Sequence, residues 1–428
     1  MNDLPGPAEP LDISFNEDAL DTLSAAFTRY GDAFKIFSPE INAYIGVFSH
    51  PDHVRQVFVD NHANYTKGIG IERVRILLGN GIMASEGDTW RRQRKLIQPA
   101  FHRSVIARMF EHIRAGNIAL RDRWLAHARD GREINLTQDL SDVTLNVVVN
   151  SIFGDDMAAI ASTDGRHPFA LLTEDSERNL QFAYKFRALS KLVMECVNRR
   201  REGELGNDLL GMLLAGRDRR TNDAMSDKLL IDEVLTLVVA GHETTASALN
   251  WFWYLLARHP QVEMRLHDEV DRWNEDGADL NSVAQLTYTR QVLDETMRLY
   301  PPGWLLTRRS IGADTVGQHP IAAGTNVFLS PYLIHRHPAF WENPETFDPD
   351  RFAPAQAAQR NRFCYLPFAL GPRACIGEQF ALVEMAAHAA LLARKLRLRY
   401  LRPQPVAMEC QVNLRPRQNI YMQVEERQ

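Results

Sequence analysis

Cysteine is scarce: there are four in 428 residues, Cys196, Cys364, Cys375 and Cys410. They are scattered without metal-ligand spacing, which argues against a disulfide framework and points to a reducing compartment. Positive charge is not in excess either. A formal net charge of −5 lacks the basic footprint that nucleic-acid binding requires, so no nucleic-acid partner is expected. No stretch approaches the ~20 uninterrupted apolar residues of a membrane span. The N-terminus, MNDLPGPAEPLDISFNEDAL, carries prolines and acids but neither the basic nor the apolar segment of a signal peptide. These absences lead to the expectation of a cytoplasmic protein to which any electron source must come. No internal repeat and no linker divides the chain, so a single domain over residues 1–428 is expected. What is present, 45% hydrophobic and 24% charged residues, suffices for a large core.

Helical periodicity dominates. Apolar spacing predicts helices over 89–96, 105–128, 136–153, 179–201, 207–214, 261–274 and 288–300, and a short one over 51–60. Alternating runs at 33–37 and 43–48 predict a strand pair. Short alternating runs punctuated by glycine and proline between Trp304 and Phe328 predict a small sheet. The stretch 340–365 predicts an extended loop, and 412–424 a closing hairpin. The reading is mainly α with a small β region.

Two segments carry chemistry. The first is Phe368-Ala-Leu-Gly371-Pro-Arg373-Ala-Cys375-Ile-Gly377, followed by a helical run. A cysteine just ahead of a helix N-terminus suits a thiolate ligand to haem iron, because unpaired N–H groups there stabilise its charge. Glycines at 371 and 377 let backbone approach the sulfur and a porphyrin closely, and Arg373 suits a propionate. The second is Ala240-Gly241-His242-Glu243-Thr244-Thr245, in the middle of a helix predicted from Ser226 or Asp227 to His259-Pro260. That helix, about 48 Å long at ~1.5 Å per residue, is apolar nearly all round. A glycine, an acid and two threonines break the local rule where burial is deepest, and such conflicts point toward function. A threonine hydroxyl bonding a carbonyl one turn back opens the helical ladder.

Other signals are structural or electrostatic. Glu295 and Arg298 lie at i, i+3 and can pair, with Arg351 as a third member tying in the loop Phe347–Phe352. Trp90 and Arg94 lie at i, i+4 on a basic helix with Arg91, Arg92 and Lys95. The helix offers either a solvated basic face or a propionate contact beside a docking patch.

Together these motifs resemble the cytochrome P450 superfamily, in the expected order across residues 90–380. Phe368-x-x-Gly371-x-Arg373-x-Cys375-x-Gly377 resembles its haem signature and Ala240-Gly241-x-Glu243-Thr244-Thr245 its oxygen-activation motif. Glu295-x-x-Arg298 with Asp350-Arg351-Phe352 resembles its structural triad, Trp90-x-x-x-Arg94 its propionate helix, and Pro301-Pro302 with Arg308 its pocket strand. The resemblance implies a helix-rich prism with a small β region and haem b on a Cys375 thiolate. Trp90, Arg94, Arg308 and Arg373 are implied as propionate contacts. Glu243 and Thr244 are implied to relay protons while dioxygen is consumed. The implied electron route runs indirectly from NAD(P)H through a separate ferredoxin and ferredoxin reductase. The segments 79–82, 90–94 and 99–102 look like bacterial members related to fatty-acid and terpenoid hydroxylases. The implied pocket wall, Ile82, Met83, Val239, Trp304 and Leu305, is apolar and selects a lipophilic small molecule. Peroxide-driven oxidation, isomerisation or dehydration on the same haem is the alternative chemistry. The interval between Gly154 and Asp208 is shorter than the family's usual lid, so no lid assignment carries over.

Overall fold

The structure, a computed structural model, describes residues 4–10, 19–160, 168–174, 180–218 and 220–427. Its axis is the central helix Asp227–Arg258. Ser226 caps the start, its hydroxyl accepting from the Leu229 amide at 3.4 Å, and Pro260 opens the next helix, Pro260–Arg272. Buried residues cover nearly every face of the central helix, among them Val234, Val238, Trp251, Phe252 and Trp253. Such a pattern is stable only inside a large protein. Helix Leu136–Phe153 lies along it, and helix Arg103–Arg129 packs on Glu378–Ala393. Aromatic contacts lock the far end: Trp251 stacks on Tyr300 with ring centroids 4.0 Å apart.

The β region sits to one side. Its main sheet has five strands in the order Ala33–Ser38, Ala43–Phe48, Asn326–Leu329, Leu306–Ser310 and Tyr65–Lys67. Ala43–Phe48 runs parallel to Asn326–Leu329, and the other neighbours pair antiparallel. A second apolar core under this sheet contains Phe48, Phe58, Val327, Leu329 and Trp341.

The expected helices are present with boundaries within a few residues; Leu136–Phe153 is unchanged. Three regions differ. The closing segment is not one hairpin: Met408–Cys410 pairs with Leu414–Pro416, and Tyr421–Glu426 instead joins Leu396–Arg399 and Glu133–Asn135. Helix Ile71–Leu78, unforeseen in the sequence, is bounded by Gly70 and Gly79, both at positive φ. The 340–365 loop contains short helical turns at Pro349–Phe352, Pro354–Gln359 and Arg362–Cys364. In the 154–208 interval the long helix is Leu180–Glu202; residues 161–167 and 175–179 lie outside the described residues. Among the described residues no helix is long and apolar enough to cross a membrane.

Candidate active site

Cys375 is exposed while the other three cysteines are buried. Its loop is closed by its own amide donating to the Phe368 carbonyl at 2.8 Å. Gly371 makes that loop possible: it sits at φ +74°, and a Cβ there would overlap the Phe58 carbonyl oxygen. Gly377 is different. A Cβ on it would meet Phe101 at 3.8 Å and Cys375 Sγ at 3.9 Å, ordinary contacts, so no protein atom demands glycine there. Gly377 caps helix Glu378–Ala393 without a side-chain bond. The uncapped amides of Gly377 and Glu378 serve the sulfur instead. The protein packed around the sulfur withholds solvation and pushes the Cys375 thiol up, the Glu378 carboxylate adds to this, and those two amides and the Arg94 guanidinium pull it back toward the thiolate.

Beside the loop, cations outnumber anions. Helix Gly87–Ile97 brings Arg94 Nη1 within 2.8 Å of the Ala374 carbonyl. The Arg373 guanidinium lies over the Trp90 ring at 4.4 Å and bonds Glu86. Arg308, on strand Leu306–Ser310, lies over Phe58 at 4.5 Å. Burial and the neighbouring Arg373 charge lower Arg308 to about 10. Lys67 joins this group, its ammonium bonded to the Met83 carbonyl and its amide donating to Glu86 at 2.6 Å. Burial, Arg373 and Arg308 bring it down to about 7. Three cations thus share Glu86, with Glu233 a more distant influence on Lys67. An exposed thiol backed by amides, next to an excess of buried positive charge, fits a haem and its two propionates.

Lys67, Glu86 and Glu233 were not singled out in the sequence. A lone lysine at the end of a three-residue strand carries no periodic signal. Glu233 sits on a helix face that reads as core; it accepts from the Ile82 amide at 2.9 Å, and burial pushes it up to about 8.

On the central helix, side chains intrude on the carbonyl ladder across residues 238–242. His242 Nδ1 is 2.9 Å from the Val238 carbonyl. Thr244 donates to the Ala240 carbonyl at 3.0 Å and Thr245 to Gly241 at 3.2 Å. The Thr144 hydroxyl, from helix Leu136–Phe153, donates to the Leu140 carbonyl of its own helix at 2.9 Å and lies 3.3 Å from the His242 carbonyl. Gly241 serves a contact other than the one read from sequence: a Cβ there would lie 2.9 Å from Val148 Cγ2, so its close approach is to the neighbouring helix. Glu243 and Thr244 are half-buried, and Asn413 Nδ2 donates to Glu243 Oε2 at 3.2 Å.

The supporting frame is buried. Arg298 holds Glu295 with two bonds of 2.6 and 2.8 Å, both residues being 0% exposed. Arg298 also donates to the carbonyls of His335, Pro344 and Thr346. Arg351 Nε lies 3.4 Å from Glu295 Oε1. Ile82, Met83, Val239 and Leu305 are half-buried on the edge of the main core. Trp304 differs from them. It is 1% exposed, and its indole N–H donates to the Gln411 carbonyl at 2.9 Å, so it braces the 408–416 hairpin rather than offering its ring to a ligand. The basic face is also less basic than its sequence. Arg91 pairs with Asp88 at 2.6 Å, and Arg92 with Asp218 at 3.2 Å and Asp223 at 3.7 Å.

The chain belongs to the cytochrome P450 family, whose description matches residues 12–187 and 168–424. It is a cytochrome P450 monooxygenase, and membership brings haem iron and dioxygen with it. Cyclooctatin synthase of Streptomyces melanosporofaciens is 35% identical over 380 residues, which span 83% of this chain and 82% of that protein. Cyclooctat-9-en-7-ol 5-monooxygenase of the same organism is 31% identical over 393 residues, spanning 88% and 84%. The crystal structure of the cytochrome P450DA heme domain superposes with a TM-score of 0.88 at 25% identity, covering 99% of this chain and 98% of that one.

Proposed function

We propose that this monooxygenase inserts one oxygen atom into a cyclic, terpenoid-like hydrocarbon or alcohol. The observation that carries the substrate class is its similarity to Cyclooctatin synthase and Cyclooctat-9-en-7-ol 5-monooxygenase, over more than four-fifths of each chain. The apolar, half-buried Ile82, Met83, Val239 and Leu305 support a substrate recognised by shape and desolvation rather than by charge.

In this reading Cys375 would supply a thiolate to the haem, and the haem so held would supply the oxidising power. Trp90, Arg94, Arg308, Arg373 and Lys67 would hold the propionates. Glu243 and Thr244 move protons. The Thr244 hydroxyl donates to the Ala240 carbonyl, so its oxygen presents lone pairs to an incoming donor, and it passes a proton on when the hydroxyl turns away from that carbonyl. Glu243 accepts a proton from solvent and passes it on within hydrogen-bond reach. Electrons come from a separate ferredoxin and ferredoxin reductase that draw on NAD(P)H. The Arg91–Asp88 pair does not remove the docking face, because both side chains are exposed and such ion pairs are worth only about 0–1 kcal/mol and exchange readily for an acidic partner.

The test is a titration of the oxidised, haem-loaded protein with cyclic terpene hydrocarbons and with straight-chain fatty acids, following the low-to-high-spin shift of the haem band. The proposal predicts saturation by cyclic terpenes at concentrations where fatty acids produce no shift. The reverse preference overturns it.

A further inference from the structure

We infer that Asn413 is a positioning residue for proton delivery: it holds the Glu243 carboxyl in both of its protonation states. The inference rests on the assignment of Glu243 and Thr244 to the relay, and it concerns a residue 170 positions from Glu243 in sequence.

Three observations carry it. First, Asn413 Nδ2 donates to Glu243 Oε2 at 3.2 Å, from the tip of the hairpin Met408–Cys410 and Leu414–Pro416. Second, that tip is fixed on both sides of Asn413. The Trp304 indole donates to the Gln411 carbonyl at 2.9 Å, and the Leu414 amide donates to the Pro302 carbonyl at 2.9 Å. The Ser247 hydroxyl, one turn beyond Glu243 on the central helix, donates to the Leu414 carbonyl. The Gln411 amide closes the turn onto the Asn413 carbonyl at 3.2 Å. Glu409 reinforces the hairpin by pairing with Arg415 at 2.7 Å. The flanking Cys410 and Leu414 are 1% and 0% exposed. A side chain on such a mount has little freedom to wander, which is what a positioning role needs.

Third, the chemistry of the side chain matches a group that gains and loses a proton. A carboxylate only accepts hydrogen bonds, whereas a carboxylic acid also donates. A lysine or arginine in this place would hold the carboxylate alone. A carboxamide does both: its NH2 donates to the carboxylate, and after a half-turn of the terminal torsion its carbonyl accepts from the acid. That torsion is broad and roughly two-fold, so the exchange is easy. Glu243 therefore keeps one anchored partner through a full cycle of proton uptake and release.

The test is a double-mutant cycle on the haem-loaded enzyme with its redox partners: N413A, E243Q and N413A/E243Q. Product and peroxide formed per electron consumed are read in ordinary and heavy water. The expectation for N413A is a drop in product per electron of about fivefold or more, with peroxide rising to match and a changed solvent isotope effect. Haem content and the substrate-induced spin shift stay as in the unmodified enzyme. Adding N413A to E243Q costs nothing further. N413D, which repels the ionised carboxyl, behaves as N413A or worse. If E243Q is uncoupled but N413A is as coupled as the unmodified enzyme, the role of Asn413 is overturned and the relay stands. The role of Asn413 is equally overturned if the N413A loss adds in full to that of E243Q, since the two then act independently. If E243Q itself remains coupled, the relay and the inference built on it both fail.

Discussion

At the residue scale, two glycines of the cysteine segment answer to different demands. Gly371 is fixed by the protein: its φ is +74° and a Cβ would overlap the Phe58 carbonyl oxygen. Gly377 meets nothing closer than 3.8 Å, so its requirement comes from outside the polypeptide. Gly371→Ala is therefore expected to cost about 1–3 kcal/mol or more of folding stability from the backbone alone. Gly377→Ala should cost no more than about 1 kcal/mol of folding stability, from the poorer N-cap, and show its main effect in haem retention. Denaturant melts of the two apo variants beside their haem content after purification separate the two cases. Equal melts would contradict the distinction. The sequence pattern identified both glycines as necessary but not which partner each one faces. Gly241 illustrates the same limit from the other side: its close neighbour is Val148 on an adjacent helix, a contact set by a packing that no local pattern encodes.

At the scale of elements, the buried Glu295–Arg298 pair ties helix Thr287–Leu299 to the segment 335–351 that precedes the Cys375 loop. Both residues are 0% exposed. Arg298 reaches three loop carbonyls, and Glu295 accepts from the Asp348 amide at 2.8 Å. Removing one member of such a pair leaves an uncompensated buried charge. Glu295→Gln should then cost about 3–5 kcal/mol, read as a lower urea midpoint together with weaker haem retention. A change below about 1 kcal/mol would show that the pair is dispensable. This element was legible because i, i+3 spacing on one helix is a local signal. Long periodic helices were legible for the same reason. The hairpin 408–416 and the last strand were not, because their partners are chosen by tertiary contact. Tyr421–Glu426 pairs with residues 396–399 and 133–135, and Asn413 reaches Glu243 across 170 positions. Lys67 is illegible in the same way, as a single residue whose meaning lies in Glu86, Arg308 and Arg373 around it.

At the scale of the whole molecule, burial of neutral histidines sets the acid limit. His335 accepts from the Leu366 amide at 2.9 Å and His388 from the Trp253 indole at 2.8 Å; burial lowers each from 6.5 to about 3. Between those values the unfolded chain binds protons that the folded chain does not, so stability falls as pH falls. Each histidine removes about 1.4 kcal/mol per pH unit in that window. Buried Glu233 and Glu384, both raised, act in the opposite sense. His53 and His267 are lowered as well, so four histidines outweigh two carboxyls. Thermal melts should therefore shift downward between about pH 7 and pH 5; an unchanged or higher midpoint at pH 5 would contradict this. The central claim concerns the proposed thiolate and relay and the apolar side chains near them acting together as a monooxygenase on a terpenoid-like substrate. Its most direct test is turnover of a cyclic terpene that shifts the haem band, with redox partners, NAD(P)H and oxygen-18-labelled dioxygen, read by mass spectrometry of the product. The account predicts one labelled oxygen atom per product molecule. Unlabelled product, or equally fast turnover driven by peroxide without electrons, would contradict it.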